Sequence, residues 1–320
     1  MGEPTGPRLR LARDATGQLV GTSVLGLAPE PFARPLECPD RHCAAPVAPV
    51  REHARTDETG TVTVSAHFRL APGAHHAPGC IYDPVQTAAA ITAASGGAVR
   101  KSAGQLRLLL PNTFTTSPKD TIQRSARSPR RNRSRPRTKP DLSHVISSAA
   151  AIQQFLDRYP DDDAALQLFH ADAGTQRIPW RDFCLGSDPA RLLALAQDLA
   201  AERKPRHLIA IHGTITGSGA ARTGTTVYVE QDLHTKIESD GRRRWLYVRL
   251  RTQDPRLTEP LALGRRFIAI GDWELFNPDA ARVAELALWV RRPWQVSAWD
   301  ADTRRRRESE SSASADDPAT

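Results

Sequence analysis

Apolar and polar positions change rhythm several times along the chain, and each change marks an element. Residues 8–11 and 18–25 are short apolar runs parted by the turn signal Asp-Ala-Thr-Gly, and together predict a hairpin. Thr59–Phe68 alternates threonine, valine and serine, the pattern of a half-buried strand. Asp83-Pro84 then opens an alanine-rich stretch that reads as a helix. Gln105–Leu110 alternates before turning solid and predicts a further strand.

From Ser143 the period lengthens. Val145, Ile152, Phe155, Leu156 and Tyr159 fall at helical spacing behind a capping serine. Residues 165–183 read as a hairpin turning at Ala173-Gly174, and 188–202 as a second helix apolar on one face. Beyond His207 the pattern is that of strands. Runs at 207–219, 225–237, 243–252, 265–276 and 287–299 are rich in β-branched and aromatic residues, with turn residues between most of them. Five such runs predict a small Greek-key barrel or sandwich, the OB-like barrel being the obvious candidate. Gly213 is expected to mark a bulge or bend in it. Asn277–Ala287 reads as a helix capped by Asn277 between the fourth and fifth runs.

Composition divides this pattern into parts. The segment 124–139 carries eight basic residues, no acid and almost no apolar side chain. Such a stretch buries too little surface to offset its conformational entropy and is expected to be disordered. The expected organisation is therefore α+β. A small β-rich zinc-binding module spans 1–110, a disordered arginine-rich linker 111–143, helices followed by the barrel 144–300, and a charged tail 301–320. The chain has 320 residues, 39% of them apolar, and 25 prolines, consistent with two domains and much non-core sequence. Its formal net charge of +8 favours a polyanionic partner. No run of eighteen apolar residues occurs, so no membrane span is expected. The opening residues lack the order of a secretory signal, and four cysteines make no disulfide framework, so a cytoplasmic setting is expected.

The cysteines are unevenly placed. Leu36–Asp83 holds three of the four, with five of the ten histidines. Thiolate and imidazole are preferred ligands of zinc, and a structural site takes four of them. Cys38 and Cys43 stand in Cys-Pro-Asp-Arg-His-Cys, a knuckle-like spacing, and His76 with Cys80 can reach one ion across a turn. The expected set is Cys38, Cys43, His76 and Cys80 around a structural Zn2+. His67 is the alternate to His76, since it ends a strand before an aromatic residue. His42 is expected to be exposed, and Cys184, alone among apolar residues, to be core.

The initial hairpin, the segment Leu36–Val47 and Ala66–Cys80 together resemble the N-terminal region of competence protein CoiA-like proteins. The likeness covers roughly residues 8–83. It departs in placing four residues between the paired cysteines, and in having Leu70 where that family's histidine–phenylalanine element continues to a second histidine. The resemblance implies a zinc region followed by a nuclease domain. The aspartate and Glu-x-Lys or Glu-x-Gln pair that such a nuclease needs is not found, so a nucleic-acid context is implied without catalysis. The acidic cluster at 159–165 reads instead as a solvated helix cap.

Two segments are candidates for nucleic-acid contact. Arg130, Arg131, Arg133 and Arg135 in the linker suit phosphate neutralisation, or simply space two domains. In 242–251, period two places Trp245, Tyr247, Arg249 and Arg251 on one face, with Leu246, Val248 and Leu250 on the other. Stacking aromatics beside arginines are the equipment of single-strand binders. The same residues also suit a barrel whose tryptophans fill the core, as is expected of Trp273 and Trp289. The leading reading is a non-enzymatic zinc-containing protein that binds single-stranded DNA or RNA. The alternatives are a protein–protein adaptor with a structural zinc, and a metal-dependent nuclease of the competence type.

Overall fold

The computed structural model of the chain describes residues 8–57, 60–102, 104–110, 142–159, 162–186, 188–220, 227–239, 242–257, 259–276 and 283–300. Among these, strands predominate and helices are few, a mixed α+β architecture. Contacts divide the chain into two units: Met1–Leu108 with Ala151–His170, and Leu109–Ala150 with Ala171–Thr320. The division differs from the boundaries expected at 110 and 144, because the segment 151–170 groups with the N-terminal residues. Aromatic packing accounts for this. Phe155 lies 5.3 Å from Phe169 and Tyr82 lies 6.5 Å from Tyr159 between ring centroids. The buried Tyr159 hydroxyl donates to the Tyr82 carbonyl at 2.6 Å.

In the first unit, β1 (Leu11–Arg13) and β2 (Leu19–Gly21) form the expected hairpin. Buried Asp14 organises its turn, accepting from the N–H groups of Thr16, Gln18 and Ala33. Gly17, at φ +84°, takes the left-handed position that the turn requires. β3 (Val47–Val50), β4 (His53–Asp57), β5 (Gly60–Val64) and β6 (His67–Leu70) are nested pairs, β3 with β6 and β4 with β5. The single strand expected at 59–68 is thus two, broken at Ser65-Ala66. Helix α1 (Pro84–Ala94) starts where Asp83-Pro84 predicts, with the Asp83 carboxylate accepting from the Val85 and Gln86 N–H groups.

β7 (Val99–Ser102) and β8 (Gln105–Leu110) follow, and Leu106, Leu108 and Leu110 alternate into the core. After α2 (Leu142–Leu156) and α3 (Asp163–Gln167), the chain enters β9 (Phe169–Ala173) and β10 (Gln176–Pro179). Their sheet runs β10-β9-β8-β7. Asp162 caps α3 as the acidic cluster implies, yet it is buried, because it also accepts from the Arg8 N–H at 2.7 Å.

The second unit continues with α4 (Trp180–Phe183), β11 (Cys184–Leu185), α5 (Pro189–Ala200), β12 (Ile209–Thr214), β13 (Gly217–Ala220), β14 (Val227–Ser239) and β15 (Arg242–Thr252). β16 (Arg266–Gly271), β17 (Glu274–Phe276), β18 (Val283–Trp289) and β19 (Val296–Trp299) complete it. The two sheets are β11-β12-β16-β19 and β13-β14-β15-β18-β17. They share two bent segments. One is β12 with β13, and the other is β16 with β17; each crosses from one sheet to the other.

The pairings therefore close a ring of five segments. The first bent segment pairs with β14 through β13 and with the second bent segment through β12 and β16. The second reaches β18 through β17. β14 pairs antiparallel with β15, and β15 parallel with β18, which completes the circuit. Gly213, expected at a bend, pairs in register with Phe267 inside β12, and the chain turns two residues later at Ile215-Thr216. Inside the ring Ile211, Leu246, Val248, Leu250, Phe267 and Leu286 form the core with Leu192 of α5. Trp273 is buried there as expected, its indole N–H donating to the Ile209 carbonyl at 3.0 Å.

The helix expected at 277–287 is corrected by this arrangement. Residues 277–282 lie outside the described residues, and from Val283 the chain is strand. Alanine, glutamate and leucine favour a helix in isolation, but β18 has main-chain partners on both edges. Tertiary pairing overrides the local preference.

Candidate metal centre and aromatic–basic face

The metal centre is built from two short turns. In the first, the Cys38 N–H donates to the Ala45 carbonyl at 2.8 Å and the Cys43 N–H to the Asp40 carbonyl at 3.0 Å. Both thiols therefore face inward. Arg13 of β1 braces this turn, reaching Glu37 at 3.0 Å and the Cys43 carbonyl at 3.3 Å. In the second turn the Cys80 N–H donates to the Ala77 carbonyl at 3.1 Å, and Gly79 takes φ +80° just before it. Asp40 joins the two, its carboxylate accepting from the His42 and the Ile81 N–H groups.

Cys38, Cys43, His76 and Cys80 present ligand atoms that all lie within 4.8 Å of one another. The Cys38 and Cys80 sulfurs are 3.6 Å apart, and His76 Nδ1 lies 3.5 Å from Cys43 Sγ and 3.4 Å from Cys80 Sγ. A tetrahedron with metal–sulfur bonds of about 2.3 Å and metal–nitrogen bonds of about 2.0 Å spaces its ligand atoms roughly 3.5–3.8 Å apart. The sulfurs are too distant for a disulfide bond and the cysteines are free. The four residues can hold a metal ion, and their donor set is that of a closed, thiolate-rich site.

Electrostatics agrees with the geometry. Burial pushes the Cys38 thiol well above its ordinary range and the Cys80 thiol up to about 11. Burial also raises Cys43, but N–H groups of Ala77 and Ala45 and the neighbouring thiols outweigh it and bring that thiol down. Burial lowers His76 and keeps its imidazole neutral, the form that ligates. Three thiols so close cannot all ionise without a compensating cation, which a divalent metal supplies.

The two histidine candidates separate cleanly. His76 joins the cluster, whereas His67 sits in β6 with its Nδ1 2.9 Å from the Ser65 carbonyl. His42 is exposed and Cys184 is buried, each as expected.

The second candidate site is the outer face of β15. The predicted alternation holds: Leu246, Val248 and Leu250 are buried in the core, while Tyr247, Arg249 and Arg251 are half-buried on the opposite face. Trp245 pairs with Val283, but its side chain lies outside the described residues. Arg130, Arg131, Arg133 and Arg135 also lie outside them.

What sequence reasoning missed is Glu285. It projects from β18 beside β15, and its side chain is only 8% exposed. One carboxylate oxygen accepts from Arg249 and the other from Arg251. The Arg251 guanidinium carbon lies 4.3 Å from the Phe276 ring centroid, and that of Arg249 lies 5.6 Å from the Tyr247 centroid. A strand reading of the run Val283–Trp289 puts Glu285, alone in charge there, at this position. The helix reading hid it.

A scan of protein-family models and a search of curated proteins find no match to this chain. Among solved structures, the dimeric N-terminal domain of PriB protein from Thermoanaerobacter tencongensis aligns over 30% of this chain and all of its own, at 13% identity. Its TM-score of 0.19 is too low to carry any argument about fold or function.

Proposed function

We propose that the chain is a non-enzymatic nucleic-acid-binding protein. In this reading a structural zinc clamps the first unit, and an OB-like barrel in the second carries the binding face. The strand order of the ring, with its parallel pair, is that of OB-like barrels and supports the fold assignment. The thiolate-rich donor set and its spacing support zinc. The observation that carries the function is the outer face of β15 and its neighbours. There Tyr247, Phe276 and Trp289, the last half-buried where the sequence places it in the core, lie beside Arg249 and Arg251, on a chain of formal charge +8. Aromatic rings offer stacking surfaces to any base, which favours single strands. The linker arginines at 130, 131, 133 and 135 would add phosphate contacts. Kinship with the zinc region of the competence family belongs to the same proposal.

Two observations favour a second reading, a protein–protein adaptor. Glu285 removes charge from the face, and beside the metal centre Ile81 and Val85 stand 41% and 71% exposed. Metal content and fluorescence anisotropy on labelled single-stranded DNA decide between them. About one zinc per chain, lost in Cys80→Ser, with binding that weakens steeply with salt, is the expected result. Zinc without binding overturns the nucleic-acid reading in favour of the adaptor.

A further inference from the structure

We propose that Glu285 is a positioning residue that turns Arg249 and Arg251 away from phosphate binding and makes their face selective for nucleobases. The inference rests on the nucleic-acid reading above and goes further, by assigning what part of the ligand this face contacts.

The chain of cause begins with register. β15 and β18 run parallel with Tyr247 opposite Glu285 and Arg249 opposite Ala287, so the next two outward residues of β15, Arg249 and Arg251, reach back to the Glu285 carboxylate. Each oxygen takes one arginine. Arg249 and Arg251 are 22% and 14% exposed, so little water screens these pairs. A phosphate that drew either guanidinium away would compete with Glu285 for it and leave the buried carboxylate with one of its two counter-charges. That loss is large compared with an exposed phosphate contact. The two arginines and one glutamate carry a summed charge of +1, not +2.

The same bonds fix the guanidinium groups against aromatic rings. Arg251 is held over Phe276, and Arg249 near Tyr247. Guanidinium groups stack on π-systems as well as pairing with anions. Held in this way, they extend the aromatic surface of Tyr247 and Phe276. The face therefore presents stacking area, which suits an unpaired base. Counterion release by phosphate contact would fall to other arginines of the chain.

The test compares the full chain on two labelled 12-mers of equal charge, oligothymidine and its abasic counterpart, over a salt series. The wild type should prefer the oligothymidine by roughly tenfold or more, about the value of one stacked base. In Glu285→Gln the arginines are released to phosphates. The preference should fall to about twofold, and the slope of log K against log salt should steepen by roughly 0.7 for each arginine that takes a phosphate. Arg251→Lys keeps the charge and loses the planar group, so the preference should fall with the slope unchanged. That variant decides the matter if Glu285→Gln does not fold, as judged by zinc content and thermal melting. Equal wild-type binding to both oligomers, or a preference that survives in a folded variant, overturns the proposal and leaves nucleic-acid binding standing. Wild-type binding to neither oligomer overturns the functional reading itself.

Discussion

Cys38 and Cys80, far apart in the chain, bring their sulfurs to 3.6 Å, and each is supplied by a different turn. A metal held here ties the two turns together. Either serine substitution removes a soft ligand while keeping the volume. Cys38→Ser and Cys80→Ser should each lower bound zinc from about one per chain to a small fraction, read by elemental analysis. Because the metal binds only the folded unit, they should also lower its melting midpoint by on the order of 10 °C.

His76 and His67 offer a sharper contrast. His76 Nδ1 is within 3.5 Å of two sulfurs, whereas His67 faces a carbonyl. His76→Ala should weaken zinc retention against a competing chelator by at least about tenfold, whereas His67→Ala should leave it unchanged. Equal loss in both variants would move the fourth ligand away from His76.

Tyr159 ties the segment 151–170 to the part of the first unit that carries the cysteine–histidine cluster. Its hydroxyl donates to the Tyr82 carbonyl, two residues past Cys80, and burial pushes its ionisation well above the ordinary phenol range. Tyr159→Phe keeps the ring and removes one buried hydrogen bond, which costs about 0.5–1.5 kcal/mol. Denaturant unfolding should show that loss with the slope unchanged and the zinc content intact.

Much of this was legible in the sequence because it is local. Asp83-Pro84 marked a helix start, Asp-Ala-Thr-Gly a hairpin, and period two assigned Leu246, Val248 and Leu250 to the core. Cys38, Cys43, His76 and Cys80 could be named because metal ligands are few and soft, and turn residues surround them. What remained hidden depends on contacts between distant segments. The strand at Val283–Trp289 is imposed by neighbours on both its edges, and Glu285 acquires meaning only once β15 lies beside it. The grouping of residues 151–170 with the N-terminal unit likewise follows from Tyr159 meeting Tyr82. No local pattern encodes such meetings.

Gly271 closes β16 just before the second bent segment turns. A Cβ at this position would collide with Leu288 Cδ1 in the core of the ring. Leu288 is buried and has little room to yield. Gly271→Ala should therefore destabilise the second unit by about 1–3 kcal/mol, the usual cost of overpacking. Chemical denaturation followed by tryptophan fluorescence would measure it, and a neutral result would mean that Leu288 can change rotamer freely.

Asp14 provides a pH-dependent element in the turn of the first hairpin. The Thr16 hydroxyl is the largest influence on its carboxyl, followed by burial, which opposes, and by the N–H groups of Ala33, Gln18 and Thr16. The net direction is down, so the folded state binds a proton here less readily than the unfolded chain. A depressed folded value contributes stability that is fully present above the unfolded value near 3.8 and is lost as pH falls through the lower folded one. Asp14→Asn, which keeps an acceptor but cannot ionise, should flatten the stability profile of the first hairpin below about pH 4 relative to wild type. Hydrogen exchange at the Thr16 and Gln18 amides across that range checks it, and an identical pH dependence in both proteins would remove Asp14 from the account.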